Sequence, residues 1–525
     1  SRGSPRHSMS SSACAWCSRP PTVAGLAQLV SSSRAGDRRR PLLVRYPRPD
    51  EIPLSLAQQR MWFLNQFDPS AATYNLPFVL RMEGAVDVDA LRAALYDVVE
   101  RHESLRTVFP PESGAGAYQL ILPIDDIDLG LEEEFAGPDE LPEVLAEFAS
   151  AGFDVSHEIP IRCRLFRMGA DEVALAMVIH HIAADGGVSF GPLARDMATA
   201  YIARTGSTAA TWSPLSVQYA DYTLWQRDVL GGDEADPDSL AAMQIEYWSN
   251  QLAGIPPEQL DLPSDRRRPA VQSFVGRRVG FDIDARTYSA LTELAREHNV
   301  SLFMVMHSAL AVLLARLSAT EDIAVGTPIA GRGEEALDDL IGMFVNTLVL
   351  RTRIMPKMSF TELLQQVREV DLGGAFANAD VPFERLVEVL KPARSQSRHP
   401  LVQVVLAYQN MGNTSLELPD LTIEASEVDV DVAKFDLQLT LSERTDGSGA
   451  TVGLGAEFVY ATDLFDVSTA RGGFAQRFQR LLAAVVADAD RAVGGELEIL
   501  EPGERRALVS TTGTGSAEPA TLAQL

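Results

Sequence analysis

Apolar residues recur at helical spacing through several long segments and run unbroken through a few short ones, which predicts helices alternating with buried strands. LSLAQQRMWFLNQF (54–67) predicts an amphipathic helix with Leu56, Met61, Phe63, Leu64 and Phe67 on or near one face. DVDALRAALYDVVERHESLRTVF (87–109) predicts another, with Val88, Leu91, Leu95 and Val98 in register and Asp89 near its N-terminus. VALAMVIHH (173–181) is a continuous apolar run of strand length and predicts a strand buried on both faces. VSFGPLARDMATAYIAR then reads as a helix, ended by the Thr-Trp-Ser-Pro of residues 211–214.

A second series follows over roughly 270–500. LFMVMHSALAVLLARL predicts a helix, and DIAVGTPIAG and GMFVNTLVLRTRI predict strands. FTELLQQVREVDLGGAF predicts a further helix, and HPLVQVVLAYQN and FDLQLTLSER two more strands. The pattern and the 525-residue length imply an α/β protein of two successive lobes, here taken as 50–225 and 226–505. Residues 1–49 are rich in Ser, Arg, Gly and Pro with Asp37 as their one acid, which marks a linker or tag around the short helical pattern PTVAGLAQLV. Residues 506–525 are small and polar and read as a second linker.

Composition narrows the function. A net charge of −27 argues against nucleic-acid binding, because phosphates must be neutralised by a basic surface. No apolar run reaches the roughly 18–20 residues of a membrane helix. Three cysteines, Cys14, Cys17 and Cys163, are too few for a disulfide framework and suit a reducing cytoplasm. The CAWC pair lacks a second pair or a nearby histidine to complete a zinc site, so no metal is expected.

The chain has eight histidines, and two are adjacent at the end of the apolar run, in HHIAADGG (180–187). Successive side chains on a strand point to opposite faces, so one of His180 and His181 should face a cleft and the other the interior. Diverging imidazoles fit a metal site poorly. No Gly-x-Ser-x-Gly elbow is present for a serine hydrolase. Two readings remain open from the residues alone: a histidine acting by itself as proton acceptor, or two core histidines held by backbone groups. Asp185 could orient an imidazole, cap the next helix or pair with an arginine; Gly186 and Gly187 permit unusual backbone angles; Ser189 stands where a helix cap belongs.

HHIAADG resembles the His-His-x-x-x-Asp-Gly signature of condensation domains of non-ribosomal peptide synthetases. LSLAQQRMWFLNQFDPSAATYNLP, RHESLRTVF, YADYTLWQR, IGMFVNTLVLR, DVPFERLVEVL and RHPLVQVVLAYQN are similar to other stretches of that family, in the same order over about 450 residues. The first most resembles the subtype joining an L-configured donor to an L-configured acceptor. PTVAGLAQLV resembles the last helix of a peptidyl carrier domain, and ERRALVSTTGTG the lead-in to an adenylation domain, so the chain is expected to be a piece of a multimodular enzyme.

The resemblance implies two chloramphenicol-acetyltransferase-like lobes set in a V as a pseudo-dimer, with a tunnel between them. It implies amide formation between two thioesters, each tethered to a carrier protein by a phosphopantetheine that the carriers supply and this domain does not itself bind. Upstream and downstream carriers and an adjacent adenylation domain are the implied partners, and the domain alone is expected to be monomeric. By resemblance His181 is catalytic, His180 supports it, Asp185 is structural through an unidentified arginine, and Gly186 faces the reacting groups. Gly187, Ser189, Asn346 and Arg106 are candidates for the tunnel wall, although for Arg106 and its neighbour Arg101 a helix-end salt bridge is the competing expectation, and for Asn346 a strand-end bond to backbone. Trp225 is expected in the core. Two departures stand out: Gly187, Val188 and Ser189 where the family often has Trp-Ser, and Asn378 and Ala379 where relatives carry His-Gln. An epimerisation domain and a non-catalytic recruitment domain on the same scaffold are the competing functions.

Overall fold

The computed structural model describes residues 40–506 except 112–115, 132, 232–235, 256–259, 394, 410–413, 419–420, 429–430 and 447–449. The CAWC pair, PTVAGLAQLV and the C-terminal tail therefore lie outside the described residues. Two six-stranded mixed sheets organise the molecule. The first lobe holds strands β1 (Asn75–Gly84), β2 (Glu133–Phe135), β3 (Ile161–Arg167) and β4 (Glu172–His180). Its main helices are α1 (Leu56–Phe67), α2 (Val88–Arg101), α3 (Leu141–Ser150), α4 (Gly187–Thr205) and α5 (Tyr219–Leu230). In β4 every residue from Val173 to His180 is buried, as the unbroken apolar run requires. Its neighbours β1 and β3 are both antiparallel to it.

The second lobe contains β5 (Gly276–Asp284), β6 (Asp322–Ile329), β7 (Asn346–Arg353), β8 (Val404–Gln409), β11 (Leu437–Thr445) and β12 (Thr451–Ala461), in the order β7-β6-β8-β11-β12-β5. Helices α6 (Leu240–Gln251), α7 (Ala285–Glu297), α8 (Leu302–Ser318), α9 (Phe360–Val367), α10 (Phe383–Leu390) and α11 (Arg477–Ala487) cover it. The hairpin β9 (Thr414–Leu418) and β10 (Leu421–Glu427) crosses back, and β10 pairs antiparallel with β1. The first sheet thus runs β9-β10-β1-β4-β3-β2.

The sequence reading divides the chain at 225/226. The boundary falls inside α5, and the hairpin from the later half caps an otherwise open edge of the first sheet. Leu337, Leu340, Ile341, Met343 and Phe344 also pack into the first lobe's core. The strand expected from Gly342 starts only at Asn346, because the residues before it are committed to that core. The helix expected over 360–376 is regular to Val367 and continues as a wider turn through Ala375.

Helix α1 forms where expected but buries a different face. Ala57, Gln58, Met61 and Asn65 point inward, whereas Phe63 is 65 % exposed and Phe67 82 %. The reason is polar: Gln58 donates to the Ile182 carbonyl at 3.3 Å and Asn65 to the Phe153 carbonyl at 2.7 Å, satisfying buried backbone that no apolar side chain could. Trp225 is buried, and its indole N–H donates to the Pro41 carbonyl at 2.7 Å.

Candidate active site

Strand β4 delivers the histidine pair to the seam between the lobes. His180, opposite Asn75 in the ladder, is 2 % exposed, and its ring packs against Phe153 and Tyr74 with centroids 5.9 and 6.5 Å away. Its Nδ1 accepts from the Ile182 N–H at 3.2 Å, which places the ring proton on Nε2. The next residue turns away. His181 donates its backbone N–H to the Tyr74 carbonyl at 2.8 Å, and its side chain is partly exposed. Within that ring Nδ1 is buried without a hydrogen-bond partner.

Burial, aided by neighbouring cations, pushes both imidazoles down: His180 to about 3 and His181 to about 4. His399, beside Arg60, is likewise at about 3 through burial. All three are neutral at neutral pH. The unfolded chain, with histidines near 6.5, takes up protons first, so stability present above about pH 6.5 should be lost as pH falls toward about 4. Thermal midpoints recorded across that window should decline steadily; a flat profile would contradict the buried-neutral assignment.

Asp185 is held from both sides. Its Oδ2 accepts from Arg332 Nε at 3.2 Å and Nη2 at 3.0 Å, and its Oδ1 from the Ser189 N–H at 2.8 Å and hydroxyl at 2.5 Å. Burial raises the carboxyl, opposed by Arg332 and Ser189. Arg332 also donates to the Leu337 and Leu340 carbonyls and lies 4.3 Å from the Phe344 ring centroid. Gly331, with φ +65°, makes this reach possible, since a Cβ there would stand 1.9 Å from the Phe344 carbonyl oxygen. The Ser189 hydroxyl further meets Gly342 backbone N–H and C=O, each at 3.3 Å.

The other expected residues sort differently. Gly186 has φ +65° ahead of α4, and an added Cβ would touch only a Leu76 methyl at 3.8 Å, so the visible constraint is backbone conformation and not contact. Gly187 opens α4. Ser189 is buried in the Asp185 network, away from any opening. Asn346 donates to the Ala379 and Val381 carbonyls and accepts from the Thr347 and Phe383 N–H groups, tying the 379–383 loop to β7. Arg106 donates to the Leu122 carbonyl at 2.5 Å. Arg101 pairs with buried Asp196 at 2.7 Å. Arg106 and Asn346 are therefore bound up in backbone bonds.

A cavity of about 780 Å³ lies between α1 and α10, lined among others by Leu56, Arg60, Phe63, Glu384 and Pro400. None of the expected site residues lines it; Arg60 reaches inward from it to within 3.5 Å of His399 Nε2. Among the described residues no His, Cys, Asp and Glu groups gather as a metal site, and no single helix is long and apolar enough to cross a membrane. Residues not expected from sequence are Arg332, Tyr74 and Lys434, whose Nζ is 4.8 Å from the Tyr74 ring centroid. A lone arginine between two glycines was the one signal for Arg332.

Fold and site define a two-lobed α/β protein with one partly exposed, neutral imidazole at its seam. Residues 48–509 match the family model described as Condensation domain. A probable non-canonical nonribosomal peptide synthetase, CymA, of Salinispora arenicola is 48 % identical over 499 residues, 95 % of this chain and 6 % of that protein. A dimodular nonribosomal peptide synthase of Bacillus subtilis is 46 % identical over 93 % of this chain and 20 % of its own length. Among solved structures, the X-domain from teicoplanin biosynthesis, in complex with OxyB, superposes with a TM-score of 0.80 at 36 % identity, covering 89 % of this chain and all of that one. The chain belongs to the condensation-domain family of nonribosomal peptide synthetases, and its lobes have the chloramphenicol-acetyltransferase-like fold. It spans a fifth or less of the length of these two synthetases.

Proposed function

We propose that the domain forms a peptide bond between two carrier-tethered thioesters. The α-amine nitrogen of the acceptor attacks the donor thioester carbonyl carbon, the nitrogen proton passes to His181 Nε2, and the C–S bond breaks. The donor's pantetheine sulfur leaves and is reprotonated, and the lengthened chain remains on the acceptor's phosphopantetheine. The observation carrying this reading is the partly exposed His181 beside a fully buried His180, on a loop locked by Asp185 and Arg332.

A thioester is already activated, and an α-amine with pKa near 8 is partly neutral at about pH 7.5. Holding the two reactants in line is therefore the larger task. Positioning supplies up to roughly 7–11 kcal/mol, against about 3–5 for proton transfer of 10²–10⁴-fold. The carriers would approach through the seam, and the cavity at Arg60 and Phe63 supports one such approach. Upstream and downstream carriers and an adenylation domain complete the partner set.

A second reading, recruitment of another protein, draws on the likeness to the X-domain, whose solved complex contains OxyB. Intact mass of two chemically loaded carriers separates the possibilities. Condensation adds the donor mass to the acceptor carrier and leaves the donor carrier unloaded. Epimerisation leaves both masses unchanged, and a recruitment domain yields no product at any carrier loading.

A further inference from the structure

Residues 40–48 run along the first lobe as a strap outside both sheets, with Leu43 and Tyr46 packed against that lobe's core. Pro41 and Leu43 turn inward while Leu42 and Val44 are exposed, the alternation of an extended chain with one face on the protein. Polar anchors recur along its length. The Trp225 indole N–H donates to the Pro41 carbonyl at 2.7 Å, and Arg45 donates to the Leu215 and Ser216 carbonyls at 2.9 and 3.2 Å. The Tyr46 N–H donates to buried Asp221 at 3.2 Å, and Arg48 pairs with Asp221 at 3.3 Å and with Glu103 at 2.8 Å. At the strap's other end Arg40 reaches away from this lobe. Its guanidinium lies 4.7 Å from the Trp225 ring centroid, but its ion pairs are with Asp380 at 3.1 Å and Glu334 at 3.7 Å. Asp380 belongs to the 379–383 loop that Asn346 ties to β7, and Gln244 of α6 donates to its other oxygen at 2.8 Å.

We infer that residues 40–48 form an ionic strap across the seam, in which Arg40 clasps the second lobe to α5 and restrains the two lobes from parting. The strap is seated on the first lobe without Arg40, so anchored backbone delivers that side chain to the seam and little freedom is lost on pairing. One guanidinium there meets two acids and an aromatic face, and a network of this kind outweighs an isolated exposed pair. Both acids stand beside supports of the site. Glu334 is two residues from Arg332, which holds Asp185, and Asp380 lies in the loop fixed by Asn346. The clasp acts on lobe opening whatever chemistry the seam carries.

Hydrogen–deuterium exchange of the full chain, wild type against Arg40→Gln, Asp380→Asn and the double variant, tests the clasp. Each single variant should speed exchange about fivefold at residues 379–383 and 331–341, the factor expected for losing a half-exposed ionic network. Strap amides from Tyr46 onward and strands β11 and β12 should exchange as in wild type. The double variant should exchange no faster than either single one, because both remove the same interaction. In about 1 M salt, where screening acts within about 3 Å, the wild type should approach the variants. Nitroxide labels at exposed Ser150 and Lys357, in a Cys14→Ser, Cys17→Ser background that leaves only buried Cys163, report the separation of the lobes by pulsed electron paramagnetic resonance. Arg40→Gln should lengthen and broaden that distance.

Unchanged exchange at 379–383 in both single variants overturns the clasp, as does an additive double variant or an unaltered distance between the lobes in Arg40→Gln. If Arg40→Gln does not fold, Asp380→Asn decides by the same exchange and distance measurements. Exchange that quickens uniformly along the chain would also overturn it, since that marks a lost stabiliser and not a restraint on the seam.

Discussion

Replacing His181 with alanine is expected to slow condensation between two loaded carriers by about 10²–10⁴-fold while leaving the thermal unfolding midpoint close to wild type. The two halves of that result have separate causes. The residue is only partly buried and its Nδ1 has no hydrogen-bond partner, so truncation removes little packing. Its backbone N–H to Tyr74 is untouched by the substitution. The rate falls because the nascent ammonium of the tetrahedral intermediate loses its acceptor. The residual rate reflects positioning, which the lobes still supply. Single-turnover rates with saturating loaded carriers measure the effect, and turnover like wild type by a folded His181→Ala protein would remove this residue from the chemistry.

The histidine pair was legible because strand geometry is simple. Alternation at the end of an unbroken apolar run forces one imidazole inward and frees the next, and His180 and His181 obey it. Helix α1 was legible as a helix but not in its orientation. Periodicity favours Phe63 and Phe67 as core, yet Gln58 and Asn65 take the interior to satisfy carbonyls at Ile182 and Phe153 that lie far off in sequence. Demands of that kind leave no local trace. The same holds for the β9–β10 hairpin, which the sequence reading does not single out and whose pairing with the other lobe's sheet is made only across the fold. Arg332 and Lys434 were invisible because a charged residue in a loop is usually solvated. Only the assembled seam places one against Asp185 and the other over Tyr74.

Asp185→Asn should destabilise the fold by about 3–5 kcal/mol, because it strips a buried arginine of its counter-charge. The two side chains are 1 % and 3 % exposed, so water cannot substitute for the lost partner. An asparagine keeps the shape and can still accept from Ser189, but it faces Arg332 with a neutral amide. Arg332→Met should cost a similar amount for the mirrored reason: burial already raises the Asp185 carboxyl, and without the guanidinium it would be driven toward the protonated form. The double variant should lose clearly less than the sum of the two, since neither uncompensated charge remains. Denaturant unfolding of all four proteins closes that cycle. Because Arg332 also gathers the Leu337 and Leu340 carbonyls, and Ser189 meets Gly342 across the lobes, loosening the pair should also let the His181 loop drift and lower the condensation rate in proportion to lost loop order. A folded Asp185→Asn protein with wild-type stability and rate would show that the loop is held by Gly186 and the strand alone.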